Sequence, residues 1–310
     1  MKLVSYQGQS GWRAGVVVDG DVVDAQAALD VAGLESPSAN GRVSVRNLLA
    51  DQLVGVQLAA AARQVHDDGG AVRSPVLGPP VPDPDKILCF GVNYKAHAEE
   101  AAVDLPVVPM LFAKFPNSLI GHGQPIVRPP ASTKVDYEGE LAVVIGRRCR
   151  NVTASEALSY VIGAMPFNDV TARDLQLEVS QWTTGKAVDT FGPCGPELVT
   201  LDEIGPLDDL TLTTTVNGAT VQHANTRMMV FGVAELVAFL SRTMTLEPGD
   251  IIATGTPEGV GFKRNPPILL TAGDVVDVEI SGVGRLSNPV IDEIMPAPLP
   301  LAPAGAAASY

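Results

Sequence analysis

The chain has 310 residues, 46% of them hydrophobic, and 21 Lys and Arg stand against 35 Asp and Glu for a formal net charge of -14. That length buries a full core and fits one large domain with a smaller piece, and the charge, with no basic run to offset it, excludes a nucleic-acid partner. No apolar stretch approaches the roughly 20 residues that span a bilayer, the start Met1 to Tyr6 lacks a signal peptide's apolar run, and Cys89, Cys149 and Cys194 contain no C-x-x-C pair, so a reducing cytoplasm is the expected place.

In chain order, residues 1–78 are read as a small α+β N-terminal domain. Valines at 16–18 and 22–23 flank Asp19-Gly20, a hairpin signal. Residues 43–50 and 52–65 carry helical apolar spacing. The proline-broken run from Gly78 to Pro84 can continue neither element, which sets a linker at 79–85. The main domain, 86–295, opens on a short buried strand at 86–91. Strand-like runs then recur at 126–127, 141–145, 160–167, 210–216, 251–254 and 275–280. One clear helix, at 233–241, precedes a turn at 246–250. Short strands punctuated by Gly and Pro argue for a mainly β fold with some α rather than alternating βαβ units. The Pro- and Ala-rich tail, 296–310, is expected to be disordered.

The stretch Val135-Asp136-Tyr137-Glu138-Gly139-Glu140-Leu141 carries the strongest chemical signal. Residues two apart on a strand share a face, so Glu138 and Glu140 stand side by side. Two carboxylates that close repel each other and need a positive partner. A hard cation such as Mg²⁺, Mn²⁺ or Ca²⁺ is one reading; a solvated pair on an exposed strand is the other. Asp169, at the end of the strand run, is either a third oxygen ligand or a helix N-cap. His97 and Glu100 share a helix face at a spacing of three, as a general base with its orienting carboxylate or as an exposed ion pair. Lys186, in a Gly-bounded stretch, either stabilises an anionic intermediate or is solvated. Arg173 and Gln176, one turn apart, either hold a substrate carboxylate or lie on the surface. The loop 254–261 lacks a phosphate-loop pattern; it is read as a tight turn that brings amides and Thr256, a candidate substrate contact, near an anion. His66, His122 and His223 have no ligand-like neighbours, and Cys194 is read as structural.

Together, Gly91-Val92-Asn93-Tyr94 with His97 and Glu100, Tyr137-Glu138-Gly139-Glu140-Leu141, Asn168-Asp169-Val170-Thr171-Ala172-Arg173-Asp174, Gly185-Lys186 with Asp189 to Pro193, and Gly249-Asp250 to Pro257 resemble, in order, the fumarylacetoacetate hydrolase family over roughly 86–294. The resemblance implies a mixed, mostly antiparallel β-roll around a metal site, in a homodimer. It implies Mg²⁺ or Mn²⁺ on Glu138, Glu140 and Asp169, and a lid from His97 to about Leu105 that orders over substrate. It also likens the leading unit to the small N-terminal domain of many bacterial members. The family's substrates imply hydrolysis of a small 2,4-dioxo acid, an acylpyruvate or fumarylpyruvate, with His97 activating water and Lys186 offsetting the enolate charge. The alternatives are oxaloacetate decarboxylation, isomerisation or hydration of a 2-hydroxydienedioate, and a metal-binding protein without turnover.

Overall fold

A computed structural model gives the structure of the protein and describes residues 1–38 and 42–294; the tail assigned to 296–310 lies outside the described residues. Two sheets carry a strand-rich mixed α/β fold. The larger has nine strands, in spatial order Asp21–Asp24, Gly11–Val18, Lys2–Gly8, Leu198–Thr200, Val161–Asn168, Gly139–Ile145, Ile251–Ala253, Ile87–Gly91 and Met110–Lys114. Its neighbours are antiparallel, except that Ile251–Ala253 runs parallel to Ile87–Gly91. The second has five, in the order Ala219–Asn225, Thr211–Val216, Val275–Ile280, Gly284–Asp292 and Ile126–Arg128.

The strand Gly139–Ile145 is buried along its whole length. A strand covered on both faces reads as a continuous apolar run, because neither face meets water. Its side chains still alternate. Leu141, Val143 and Ile145 pack with the helix Val233–Ser241, whose Val233, Leu236, Val237 and Leu240 form one buried stripe. Ala142 and Val144 point the other way, into a core shared with the helices Ala25–Ala32 and Val56–Asp67.

That second core joins the leading residues to the rest. Lys2–Gly8 pairs with Leu198–Thr200 through Lys2 opposite Val199 and Leu3 opposite Leu198. Leu3, Leu29 and Leu58 lie in one cluster with Val144 and Ile251. The small N-terminal α+β region therefore extends the central sheet. Asp19 and Gly20 both take positive φ, as a two-residue hairpin turn requires. The expected helix at 52–65 starts at Val56, after the extended Gly55. Sequence spacing did not show the helix Ala25–Ala32, which Asp24 caps by accepting the Ala27 N–H and Gly33 closes in the left-handed region. Among the described residues, no helix is long and apolar enough to cross a membrane.

Candidate metal centre and active site

The site is built where two neighbouring strands end. Gly139 pairs with Asn168, the last residue of Val161–Asn168, so Asp169 emerges beside Glu138. The Asp169 N–H donates to the Glu138 carbonyl at 2.8 Å, and the Glu138 N–H donates to Asn168 Oδ1 at 3.0 Å. One oxygen from each of Glu138, Glu140 and Asp169 lies within 4.8 Å of the others, and all three residues are buried. The solvated-pair reading is thereby excluded. Gly139 is required by close approach: a Cβ there would meet Thr214 Oγ1 of the second sheet at 2.0 Å. Gln222 accepts the Gly139 N–H at 2.9 Å, and the Thr256 hydroxyl donates to the Gly139 carbonyl at 2.9 Å.

Three cations surround the carboxylates. Lys186 Nζ donates to Glu138 Oε2 at 2.7 Å and to Asp169 Oδ2 at 2.6 Å. Arg173 Nη1 lies 2.6 Å from Glu138 Oε1, and Lys114 Nζ lies 2.7 Å from Asp169 Oδ1. Burial pushes the Glu138 carboxyl up, but Lys186 and Arg173 outweigh it and hold the group far below the usual carboxylate range. Glu140 has the opposite balance. Burial, then the charges of Asp169 and Glu138, push it well above the usual range, against Lys186 and a single 2.8 Å hydrogen bond from the Gly255 N–H.

The residues present fit a divalent cation on a further observation. Lys114 directs its hydrogens to the carbonyls of Val170 at 3.0 Å, Phe191 at 2.8 Å and Lys186. It shares that ammonium between the three carbonyls and Asp169, so the 2.7 Å contact with Lys114 is the one polar contact that buried Asp169 Oδ1 makes among the described residues. Three buried carboxylates with oxygens this close together are a hard-oxygen donor set for Mg²⁺, Mn²⁺ or Ca²⁺.

A cavity of about 220 Å³ opens over this floor. Glu138, His97, Arg173, Gln176, Lys186 and Thr256 line it; Glu140 and Asp169 do not reach its wall. His97 sits on the helix Lys95–Ala101, 8% exposed, with Nδ1 3.3 Å from Glu100 Oε2. Glu100 in turn accepts the Gly259 N–H at 3.0 Å. Burial pushes the Glu100 carboxyl up, but the hydrogen bonds from His97 and Gly259 leave it below its usual range. The expected lid therefore begins as a folded helix with His97 already on the cavity wall.

The surface readings of Arg173, Gln176 and Lys186 do not hold, since all three are buried. Lys186 closes a short helical turn, Thr183–Lys186. Asp169 is not an N-cap: the helix Arg173–Leu177 starts after Ala172. Thr256 also accepts from Gln222 Nε2 at 2.8 Å, so its hydroxyl proton is committed to Gly139. Cys194 is fully buried, with burial pushing its thiol up, in keeping with a structural role.

Two residues of the site were missed. Asp136 accepts from Arg173 Nε at 2.9 Å, from the Gly261 N–H at 2.8 Å and from the Phe262 N–H at 3.1 Å. It thus fixes the guanidinium and the glycine-rich loop together. The expectation that this loop turns amides toward an anion is met by the protein's own carboxylates: Gly255 serves Glu140, Gly259 serves Glu100, and Gly261 and Phe262 serve Asp136. The signal for Asp136 was its place in the same stretch as Glu138. Lys114, the other, had none.

Residues 86–291 match the family described as Fumarylacetoacetate (FAA) hydrolase C-terminal. The chain is 46% identical over 214 residues to the oxaloacetate tautomerase fahd2, mitochondrial, of Xenopus laevis, covering 68% of this chain and 67% of that one. Among solved structures it resembles the fumarylacetoacetate hydrolase from psychrophilic Exiguobacterium antarcticum, with a TM-score of 0.78 and 35% identity over 94% of this chain and 100% of the other. It also resembles the maleylpyruvate hydrolase from Sphingobium sp. SYK-6 in complex with manganese(II) and pyruvate, with a TM-score of 0.74 and 32% identity over 94% and 99% of the two chains.

Proposed function

This chain belongs to the fumarylacetoacetate hydrolase family, and we propose that it catalyses proton transfer on a small 2-oxo acid, the keto–enol tautomerisation of an oxaloacetate-type substrate. The observation that carries this reading is one cavity wall holding a carboxylate-oriented imidazole, His97, and a buried ammonium, Lys186, over the acidic triad. A proton shift beside a carbonyl needs a base and a positive charge, and no further nucleophile. The volume of about 220 Å³ lies below the roughly 300–1,000 Å³ of pockets for drug-sized ligands and suits a metabolite of a few carbons.

A divalent cation on Glu138, Glu140 and Asp169, Mg²⁺ or Mn²⁺ in this reading, would supply Lewis-acid polarisation of the 2-oxo carbonyl. Glu100 engages Nδ1 of His97, which leaves Nε2 to take the proton from the carbon beside the carbonyl and to return it. Glu100, held ionised, offsets the charge that the imidazole gains. Lys186 answers negative charge developing on the substrate oxygen. Arg173 and Gln176 orient the substrate carboxylate, Thr256 fixes the backbone of Gly139, and the apolar walls limit water.

The hydrolytic cleavage of an acylpyruvate expected from the sequence is a second reading, favoured by the manganese- and pyruvate-containing hydrolase among the similar structures. It asks His97 to activate a water instead. The relative at 46% identity is named for the tautomerase reaction on oxaloacetate, which weighs toward proton transfer alone. Following the enol band of oxaloacetate with Mg²⁺ or Mn²⁺, beside pyruvate release from acetylpyruvate and fumarylpyruvate, separates them. Faster ketonisation without pyruvate release is expected. Pyruvate release from an acylpyruvate with no effect on the enol would refute the proposal. A second copy of the chain completes the assembly in this reading: Val103 on the cavity wall is followed in sequence by the exposed Leu105, Val107 and Val108, an apolar run that a partner would cover. A monomer in sedimentation would oppose it. The free, buried Cys89, Cys149 and Cys194 suit a reducing compartment.

A further inference from the structure

We propose that Lys263 binds the far carboxylate of the substrate, so that the pocket selects dicarboxylic over monocarboxylic 2-oxo acids. This rests on the reading of the cavity as a 2-oxo acid site. Three cations line that cavity: Arg173, Lys186 and Lys263. Two are paired with protein carboxylates on the floor and, in that reading, serve the reacting end of the substrate. Arg173 holds Asp136 and Glu138, and Lys186 holds Glu138 and Asp169. Both are buried on the floor.

Lys263 differs on each count. It is exposed, so it stands at the mouth. It has no carboxylate within ion-pair distance among the described residues; its ammonium has one long contact, 3.4 Å to the Ala101 carbonyl, and lies 5.1 Å from the centre of the Phe262 ring. The same ring carries the Arg173 guanidinium at 4.3 Å. Floor and mouth are therefore linked by a single aromatic ring, with Glu138 and Arg173 on the inner side and Lys263 toward solvent. Much of the remaining lining is apolar, with Phe90, Val92, Leu177 and Trp182 among it. A second carboxylate left against such a wall would lose its water without a partner. Among the described residues that line the cavity, Lys263 is the one cation with no carboxylate partner, and it can pair with that second carboxylate. In a chain of net charge -14, this also places an unopposed positive charge where an anionic substrate enters.

A competing role exists, because Ala101 is the last residue of the helix that carries His97, and a lysine on a terminal carbonyl can cap a helix. A cap would affect every ligand alike, whereas a carboxylate reader affects only the diacid. The full chain loaded with Mn²⁺ is titrated calorimetrically with oxaloacetate, with its 4-methyl ester, which lacks the far charge, and with oxalate, which engages only the floor. The wild type is expected to bind the diacid about fivefold more tightly than the ester, the scale of one exposed ion pair. Lys263→Gln should remove that preference with oxalate and ester affinities unchanged, and Lys263→Arg should keep it. Loss of affinity for all three ligands together would make Lys263 a helix cap and overturn the proposal. Oxalate binding with no wild-type preference for the diacid would overturn it as well. If the wild type bound neither oxalate nor oxaloacetate, the 2-oxo acid reading itself would fall, and the selectivity with it.

Discussion

Arg173 on the cavity floor and Arg63 in the leading region each hold an aspartate through two nitrogens. Arg173 reaches Asp136 through Nε and Nη2, both at 2.9 Å, with side chains 4% and 0% exposed. Arg63 reaches Asp19 with side chains 49% and 63% exposed. The chemistry is the same and the consequence is not. Around Arg63 water screens the pair, and little is lost when it breaks. On the floor, Asp136, Glu138, Asp169, Arg173, Lys186 and Lys114 form one connected set away from water, and removing a member leaves its partner charged and unsolvated. At Arg63 charge serves the surface, whereas on the floor it holds a site.

The sharpest way to break the contrast is to remove a floor carboxylate. Asp169→Ala should lower Mn²⁺ affinity at least 100-fold, since even the outer partners of metal ligands account for about 10–100-fold, and activity should fall with it. The Asp19→Ala change in the leading region should alter neither. Calorimetric titration of both variants decides; unchanged Mn²⁺ binding by Asp169→Ala would remove that residue from the centre.

Next is Lys114→Met, which keeps the volume and deletes the charge. It strips three carbonyls of their donor and leaves Asp169 without its 2.7 Å neighbour. Breaking a buried pair in this way costs about 3–5 kcal/mol, read as a lower melting temperature. Arg63→Gln should leave the melting temperature nearly unchanged. If the two variants melted alike, burial would not be what separates the two regions.

The two regions were also unequally legible. The floor could be read where one sequence segment carries its own geometry. Glu138 and Glu140 had to share a face because they are two apart around a strand start, and His97 and Glu100 had to meet because they are three apart on a helix. What sequence could not give was pairing across distance. Lys114 ends the edge strand Met110–Lys114 and reads as an ordinary exposed lysine; only the packing of residues 169–191 against it shows that it is buried. Asp136 was overlooked because its partner Arg173 is 37 residues away. The place of the N-terminal region in the central sheet was hidden for the same reason. Nothing in Lys2–Gly8 announces that its neighbour is Leu198–Thr200, because any strand edge can pair with any other of fitting length.

A third prediction moves to the cavity wall and leaves the charges of the floor in place. His97→Ala should reduce turnover by about 10² to 10⁴, the range for a general base, with Mn²⁺ and oxalate binding retained, because His97 is not a ligand. Glu100→Gln should follow in direction with a smaller loss. If Mn²⁺ or oxalate binding fell together with turnover, His97 would be holding the helix Lys95–Ala101 over the cavity rather than moving a proton.

The smallest effect expected is a difference in sign with pH. In the leading region His66 Nδ1 lies 3.4 Å from Asp67 and Nε2 lies 3.2 Å from Asp21, and these two hydrogen bonds raise its pKa above the ordinary value. A raised folded-state pKa means the contribution to stability is complete below the unfolded value of about 6.5 and is lost as pH rises through the folded value. Glu100 on the cavity side is depressed, so its contribution is complete above the unfolded value of about 4.3 and is lost on acidification. Raising the pH from about 6 to about 9 should therefore loosen the leading region slightly and leave the His97–Glu100 pair's carboxylate untouched. Because the leading strands share the central sheet and core, the change should appear in the main thermal transition and not as a separate one. Asp21→Asn removes one of the two partners, so the variant should melt below the wild type near pH 6 and converge with it near pH 9, both being approximate bounds of the window. Parallel curves across that window would show that the His66 pair, like other exposed pairs, contributes nothing to stability, and would widen the gap between the two regions.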